Sequence, residues 1–264
     1  TLPGSFPLTD FGNAERLVAS FRDRIRYCPP RRKWLVWDGR RWAWDETGEI
    51  VRFAKTTVRG VYDEASRCHD DELRKAIAKH ARDSERAPRV AALIQLAQSE
   101  PGVAVMPNEL DRNPWAFNVL NGTIDLRSGK LRAHDRRDLI TRLAPVDFSA
   151  DAKSELWERY LAESTAGDDD LAAYLRRATG YALQGTVTER AFWFLFGRPG
   201  SAKSTFIDAV GAAFRDYHAS AAFETWLVQS STGGNRGDLV RLAYARLVTS
   251  VEVRKGAKFD EAII

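Results

Sequence analysis

At 264 residues, with 44% hydrophobic and 29% charged side chains, the chain has enough apolar content and length for two or three compact units and is not a disordered tail. No apolar run approaches the ~20 residues of a membrane span, and Thr1-Leu2-Pro3-Gly4-Ser5 lacks the basic-then-apolar layout of a signal peptide, so a cytosolic setting is expected. The net charge of +4 permits nucleic-acid contact without establishing it, because 36 acidic residues offset 40 basic ones.

Leu17, Val18 and Phe21 are spaced for a short amphipathic helix over Asn13 to Arg24, ended by Pro29-Pro30. Residues 33 to 44 alternate around Asp38-Gly39, a hairpin signal, and Glu46-Thr47-Gly48 makes a second turn. This stretch is also basic. Arg22, Arg24, Arg26, Arg31, Arg32 and Lys33, then Arg40 and Arg41, surround Trp34, Trp37, Trp42 and Trp44. The tryptophans are what a half-buried hairpin needs for packing, which leaves the arginines solvated; Arg31, Arg32, Lys33, Arg40 and Arg41 are alternatively a surface for phosphates and stacked bases.

From Val51 to Gln98 helical spacing dominates, with Val58, Val61 and Tyr62 in one helix, Leu73, Ile77 and His80 in a second, and Val90 to Leu96 in a third. His69 and His80 have no acidic or cysteine partner at ligand spacing and are expected to be surface or packing residues. Cys28 and Cys68 lack a ligand pattern and are expected to be reduced. Strand character returns from Trp115 to Ala133, where Asn121-Gly122 and Ser128-Gly129 punctuate a β-meander. Residues 153 to 184 read as helical, and Asp168 to Asp170 suit a helix N-terminus better than a metal cluster.

Phe192 to Phe196 is an apolar run read as a strand buried on both faces. It leads into Gly197-Arg198-Pro199-Gly200-Ser201-Ala202-Lys203-Ser204-Thr205, and Phe206, Ile207 and Val210 form the stripe of a following helix. This is the layout of a phosphate-binding loop, G-x-x-x-x-G-K-[ST], with Ala202 in place of the second glycine. Loop N–H groups converge on phosphates, the lysine reaches the β/γ oxygens, the next hydroxyl ligates Mg²⁺ and the helix N-terminus adds a favourable dipole. ATP and Mg²⁺ are therefore the expected ligands. Ser230 to Gly237 is polar and suits an exposed loop. Arg246 to Glu252 is a second apolar run ending in an acid, and Glu252 is the candidate Walker B residue that holds Mg²⁺ through water and polarises the attacking water.

These segments in order resemble the phage and plasmid primase-helicases, whose motor belongs to helicase superfamily 3 and whose relatives include the poxvirus primase-helicase. The resemblance is carried by Thr9-Asp10-Phe11-Gly12-Asn13-Ala14-Glu15-Arg16, by Trp37 to Trp42, by Asn121-Gly122-Thr123-Ile124-Asp125-Leu126 through Leu131, and by Gly180 to Gly185. Phe196 to Phe206 and Leu247 to Glu252 complete it.

The resemblance implies a mixed α/β protein: an α+β and helical helicase-associated region followed by the first part of an AAA+-like P-loop ATPase domain. On this basis 1–110 is a helix-hairpin and helical region, 111–185 a β-meander with a helical collar, and 186–264 the start of the ATPase. It also implies ATP-dependent unwinding of forked DNA, a ring, typically hexameric, on single-stranded DNA, and a primase domain in the same or a partner chain. The setting implied is a bacterial host cell and a phage, prophage or plasmid gene. Lys203 would bind the β/γ-phosphates, Ser204 would ligate Mg²⁺, Glu252 would be the Walker B acid, and Gly197 through Ala202 with Thr205 would line the cradle. Because family members continue into a sensor, a DNA-contacting hairpin and an arginine finger, the chain is expected to be a fragment of a longer replicative protein. A non-catalytic adaptor that binds DNA or a primase through residues 1–185 is the alternative.

Overall fold

Thr9 sets the start of the first helix, because its hydroxyl accepts the Gly12 N–H at 3.2 Å. In the computed structural model, which describes residues 4–189, 192–228, 237–251 and 258–260, this helix, α1, spans Asp10–Phe21. It begins and ends about a turn before the range read from the sequence, Asn13 to Arg24. A β-carbon on Gly12 would collide with the Pro7 carbonyl, so the lead-in chain crosses α1 only at glycine.

The chain divides into two compact units, Thr1–Arg112 with Asp135–Thr141, and Asn113–His134 with Arg142–Ile264. In the first, α1 is followed by three antiparallel strands, β1 (Ile25–Cys28), β2 (Lys33–Trp37) and β3 (Trp42–Trp44), in that order across the sheet. The hairpin at Asp38-Gly39 forms as expected, with the Asp38 carboxylate accepting the Arg40 and Arg41 N–H groups at 2.8 Å. Strand β1 was hidden inside the basic stretch; its burial is nearly continuous, and Pro29-Pro30 turns it into β2 rather than ending a helix.

Three helices follow as the spacing predicts, α2 (Glu49–Ser66), α3 (Asp71–Ser84) and α4 (Ala87–Ala97). Leu17, Ile25, Trp34, Val36, Phe53, Val58 and Leu93 share their core with Val103. Helices α1 and α2 also share a buried ion pair. The Arg16 guanidinium donates to both Glu64 oxygens at 3.0 to 3.2 Å and to the Pro7 and Phe6 carbonyls, with Arg16 only 3% exposed.

His80 is a packing residue, buried on α3 with its Nε2 3.0 Å from Asn13 Oδ1 and 3.4 Å from Ser84 Oγ. Burial, reinforced by the nearby Arg16 and Arg89 charges and only partly opposed by Asp10 and Asp83, holds its pKa below the ordinary histidine value. The unfolded chain then binds the extra proton, so the stability due to neutral His80 is complete above about pH 6.5 and lost as pH falls below it. Thermal melts from pH 8 to 5 are expected to show this loss, with a smaller pH slope in His80→Gln.

In the second unit the expected meander forms from β4 (Ala116–Val119), β5 (Gly122–Asp125) and β6 (Lys130–Arg132). Helices α5 (Glu155–Ser164) and α6 (Asp169–Leu183) begin at Ser154 and Asp168, whose side chains accept the Trp157 and Leu171 N–H groups. Asp168 is thus a helix cap. Helix α7 (Lys203–Phe214), strand β7 (His218–Ser220), helix α8 (Gly237–Leu242) and strand β8 (Leu247–Thr249) follow, with β7 and β8 parallel.

The meander and α7 share one core. Phe117 stacks on Tyr217 at 4.5 Å and meets Phe214 edge-on at 5.7 Å, while Val119, Ile124, Ala182 and Val210 close around them. Arg246 bonds the Leu183 and Ala116 carbonyls at 2.5 and 2.8 Å with its guanidinium 4.7 Å over Tyr217, tying the chain before β8 to α6 and β4.

One expectation is corrected here. Phe192 to Phe196 has no regular secondary structure and is not a buried strand: Phe192, Trp193, Phe194 and Leu195 are between 38% and 55% exposed and Phe196 is 90% exposed. Burial on both faces requires a strand on each side and cover above and below, and among the described residues none pairs with this run. The second apolar run is also shorter than read, with β8 confined to Leu247–Thr249. Among the described residues no helix is long and apolar enough to cross a membrane.

Candidate nucleotide site

The segment after Phe196 turns through Gly197 (φ +157°), Gly200 (φ +80°) and Ala202 (φ +57°, ψ +19°) before α7 begins at Lys203. Gly200 supplies a left-handed φ without a side-chain penalty, whereas alanine at 202 adopts that conformation at a cost of about 1 kcal/mol. Ala202 occupies the position at which the loop pattern has glycine, and its backbone takes the glycine conformation despite the methyl group. Ala202→Gly is therefore expected to stabilise the second unit by about 1 kcal/mol, read as a higher thermal midpoint.

Lys203 folds back over this loop. Its ammonium donates to the Gly197 carbonyl at 3.1 Å, the Arg198 carbonyl at 3.0 Å and Ser201 Oγ at 2.9 Å. The positive charge is thus held against the loop by neutral acceptors, which are weaker partners for an ammonium than the oxygens of an anion would be. Ser204 and Thr205 follow in the first turn of α7, both exposed, where the backbone N–H groups have no intrahelical acceptor. These groups fit the phosphates of a nucleotide, and the Ser204 hydroxyl fits a hard cation that prefers oxygen. Arg198 and Pro199 form the exposed crest of the loop. Glu252 lies outside the described residues, as do Ser230 to Arg236 of the polar loop.

A neighbour missed in the sequence reading completes the site. Tyr160 of α5 donates its hydroxyl to the Ala202 carbonyl at 2.8 Å. Trp157 stacks on Tyr160 at 5.1 Å and on Phe206, in the first turn of α7, at 5.9 Å. Burial pushes the Tyr160 phenol above its ordinary pKa. In the sequence Trp157 and Tyr160 show only as one apolar helix face, and nothing in their spacing points to a loop more than forty residues later.

The candidate nucleic-acid residues are spread out. Arg31, Arg32 and Lys33 lie where β1 turns into β2, and Arg40 and Arg41 at the β2–β3 turn, so the two groups sit at opposite ends of β2, roughly 14 Å apart for a strand of this length. Lys33 pairs with Glu46 at 2.8 Å and Arg41 with Asp38 at 3.6 Å. The tryptophans are used for packing: Trp42 is fully buried, Trp34 nearly so, and Arg31 and Arg26 lie over Trp44 and Trp42 at 5.1 and 4.8 Å.

A family model described as D5 N terminal like matches residues 14–165. No curated protein matches the chain.

Proposed function

Because the chain belongs to the D5 N-terminal-like family, a domain found in primase-helicases of the phage, plasmid and poxvirus type, we propose that it serves DNA replication as part of an ATP-driven superfamily 3 helicase. The observation that carries this reading is the Lys203 ammonium, folded onto the Gly197 and Arg198 carbonyls at the start of α7.

In this reading Lys203 exchanges those carbonyls for the β/γ-phosphate oxygens of ATP, and the N–H groups from Gly200 to Ser204 surround the same phosphates. Ser204 would hold Mg²⁺ through its hydroxyl, and Glu252 would be the acid that positions the metal's water and polarises the attacking water. Bound Mg²⁺ supplies charge neutralisation between the phosphates. The partners proposed are single-stranded or forked DNA, further copies of the chain in a ring, and a primase domain. Strand separation by the protein that carries this chain, on a forked duplex with Mg·ATP, tests the reading. Unwinding that requires hydrolysable ATP is expected, and unwinding of equal rate without nucleotide would overturn it.

A further inference from the structure

The geometry points to Tyr160 as a positioning residue for the phosphate loop: its hydroxyl bond to the Ala202 carbonyl holds the left-handed turn that glycine at 202 would adopt unaided. This inference rests on the phosphate-loop reading and deepens it, because it makes helix α5, within the segment that the family model covers, a support of the nucleotide site.

Ala202 has one backbone carbonyl with two lone pairs, and both are used. One accepts the Phe206 N–H at 3.2 Å, starting the hydrogen-bond ladder of α7, and the other accepts the Tyr160 hydroxyl at 2.8 Å. The first bond fixes where the helix begins. The second constrains the direction of the peptide plane between Ala202 and Lys203, and with it the Lys203 N–H, which faces opposite to that carbonyl. Alanine disfavours the left-handed region, so without the second bond the loop populates alternatives in which that N–H and the lysine are misdirected.

Tyr160 is itself held. Trp157 stacks on its ring and on Phe206, nearly parallel to each at 25° and 19°, so α5 and the first turn of α7 are joined by aromatic contacts beside the hydroxyl bond. A ring locked in this way loses little freedom in making its bond, and a small displacement of α5 is transmitted to residue 202. The pairing of a left-handed alanine with a tyrosine donor gives each residue a reason to accompany the other.

The test is a double-mutant cycle on the full chain, with Mg·ADP as the probe in calorimetry and circular dichroism melts as a check of folding. Tyr160→Phe removes only the oxygen and is expected to weaken Mg·ADP binding about fivefold, the effect of one hydrogen bond. Ala202→Gly serves as the second background, in which residue 202 takes its left-handed φ without a side-chain penalty. In the Ala202→Gly background, Tyr160→Phe is expected to change affinity by less than about twofold, because glycine needs no support at this φ. A merely structural tyrosine would cost the same in both backgrounds, and equal losses would overturn the inference alone, as would unchanged affinity of Tyr160→Phe. If the wild type itself fails to bind Mg·ADP, the phosphate-loop reading falls and this inference falls with it.

Discussion

Replacing Lys203 with alanine is expected to weaken Mg·ATP binding by about 100-fold, equivalent to ~2.7 kcal/mol, with little change in the unfolding midpoint. The asymmetry follows from what the ammonium touches. In the structure it satisfies the Gly197 and Arg198 carbonyls and Ser201 Oγ on an open loop, where water can replace it. On a phosphate the same group makes charge-assisted bonds to an anion beside the N-terminus of α7, where water is a poor substitute. Turnover is expected to fall further, by orders of magnitude, because charge on the transferred phosphoryl group is spread over oxygens that the lysine contacts. Nucleotide titration and melting curves of the same preparation check both halves. Unchanged affinity would remove the lysine from the site.

Glu64→Ala is expected to have the largest effect on stability, costing about 3–5 kcal/mol in the first unit. The loss arises less from the missing attraction than from the cation left behind: Arg16 is 3% exposed, and without Glu64 its remaining acceptors are the Phe6 and Pro7 carbonyls. For comparison, the exposed Lys75–Glu72 pair on α3 is expected to contribute at most about 0.5 kcal/mol, since both partners keep most of their water. With total stabilities of about 5–15 kcal/mol for a domain, Glu64→Ala takes a large share of the margin. Urea unfolding of Glu64→Ala beside Glu72→Ala separates these cases; a loss under about 1 kcal/mol for Glu64→Ala would contradict the account.

Local chemistry was legible in the sequence, and long-range pairing was not. The Asp38-Gly39 hairpin, the meander around Asn121-Gly122 and Ser128-Gly129, and helices α2 to α6 carry their turn residues and periodicity within a few positions. Strand β1 was missed because Ile25–Cys28 is short and lies within a run whose arginines dominate its composition. The true start of α1 depends on a single threonine hydroxyl ahead of the first apolar residue of the helix stripe. Phe192 to Phe196 shows the limit from the other side. Hydrophobicity predicts burial, yet a strand exists only where a second strand pairs with it, and that partner is not encoded in the run.

The same distinction holds at the candidate site. The order of Gly197, Gly200, Lys203 and Ser204 is what suggests a phosphate-binding loop, and the structure folds Lys203 onto that segment. That Ala202 adopts a left-handed conformation was left open by the sequence, since alanine is unstrained at negative φ. Tyr160 and the Arg16–Glu64 pair were invisible for one reason: each links segments more than forty residues apart. The grouping of the meander with α7 through Phe117, Phe214 and Tyr217 likewise depends on packing that no local pattern specifies.

The central claim is that the turn into α7 grips a triphosphate, and a crystal structure of the chain grown with a non-hydrolysable Mg·ATP analogue tests it most directly. The account predicts Lys203 Nζ withdrawn from the Gly197 and Arg198 carbonyls and bonded to the β/γ-phosphates, with the N–H groups from Gly200 to Ser204 facing them. Lys203 still resting on those carbonyls at saturating analogue would contradict it.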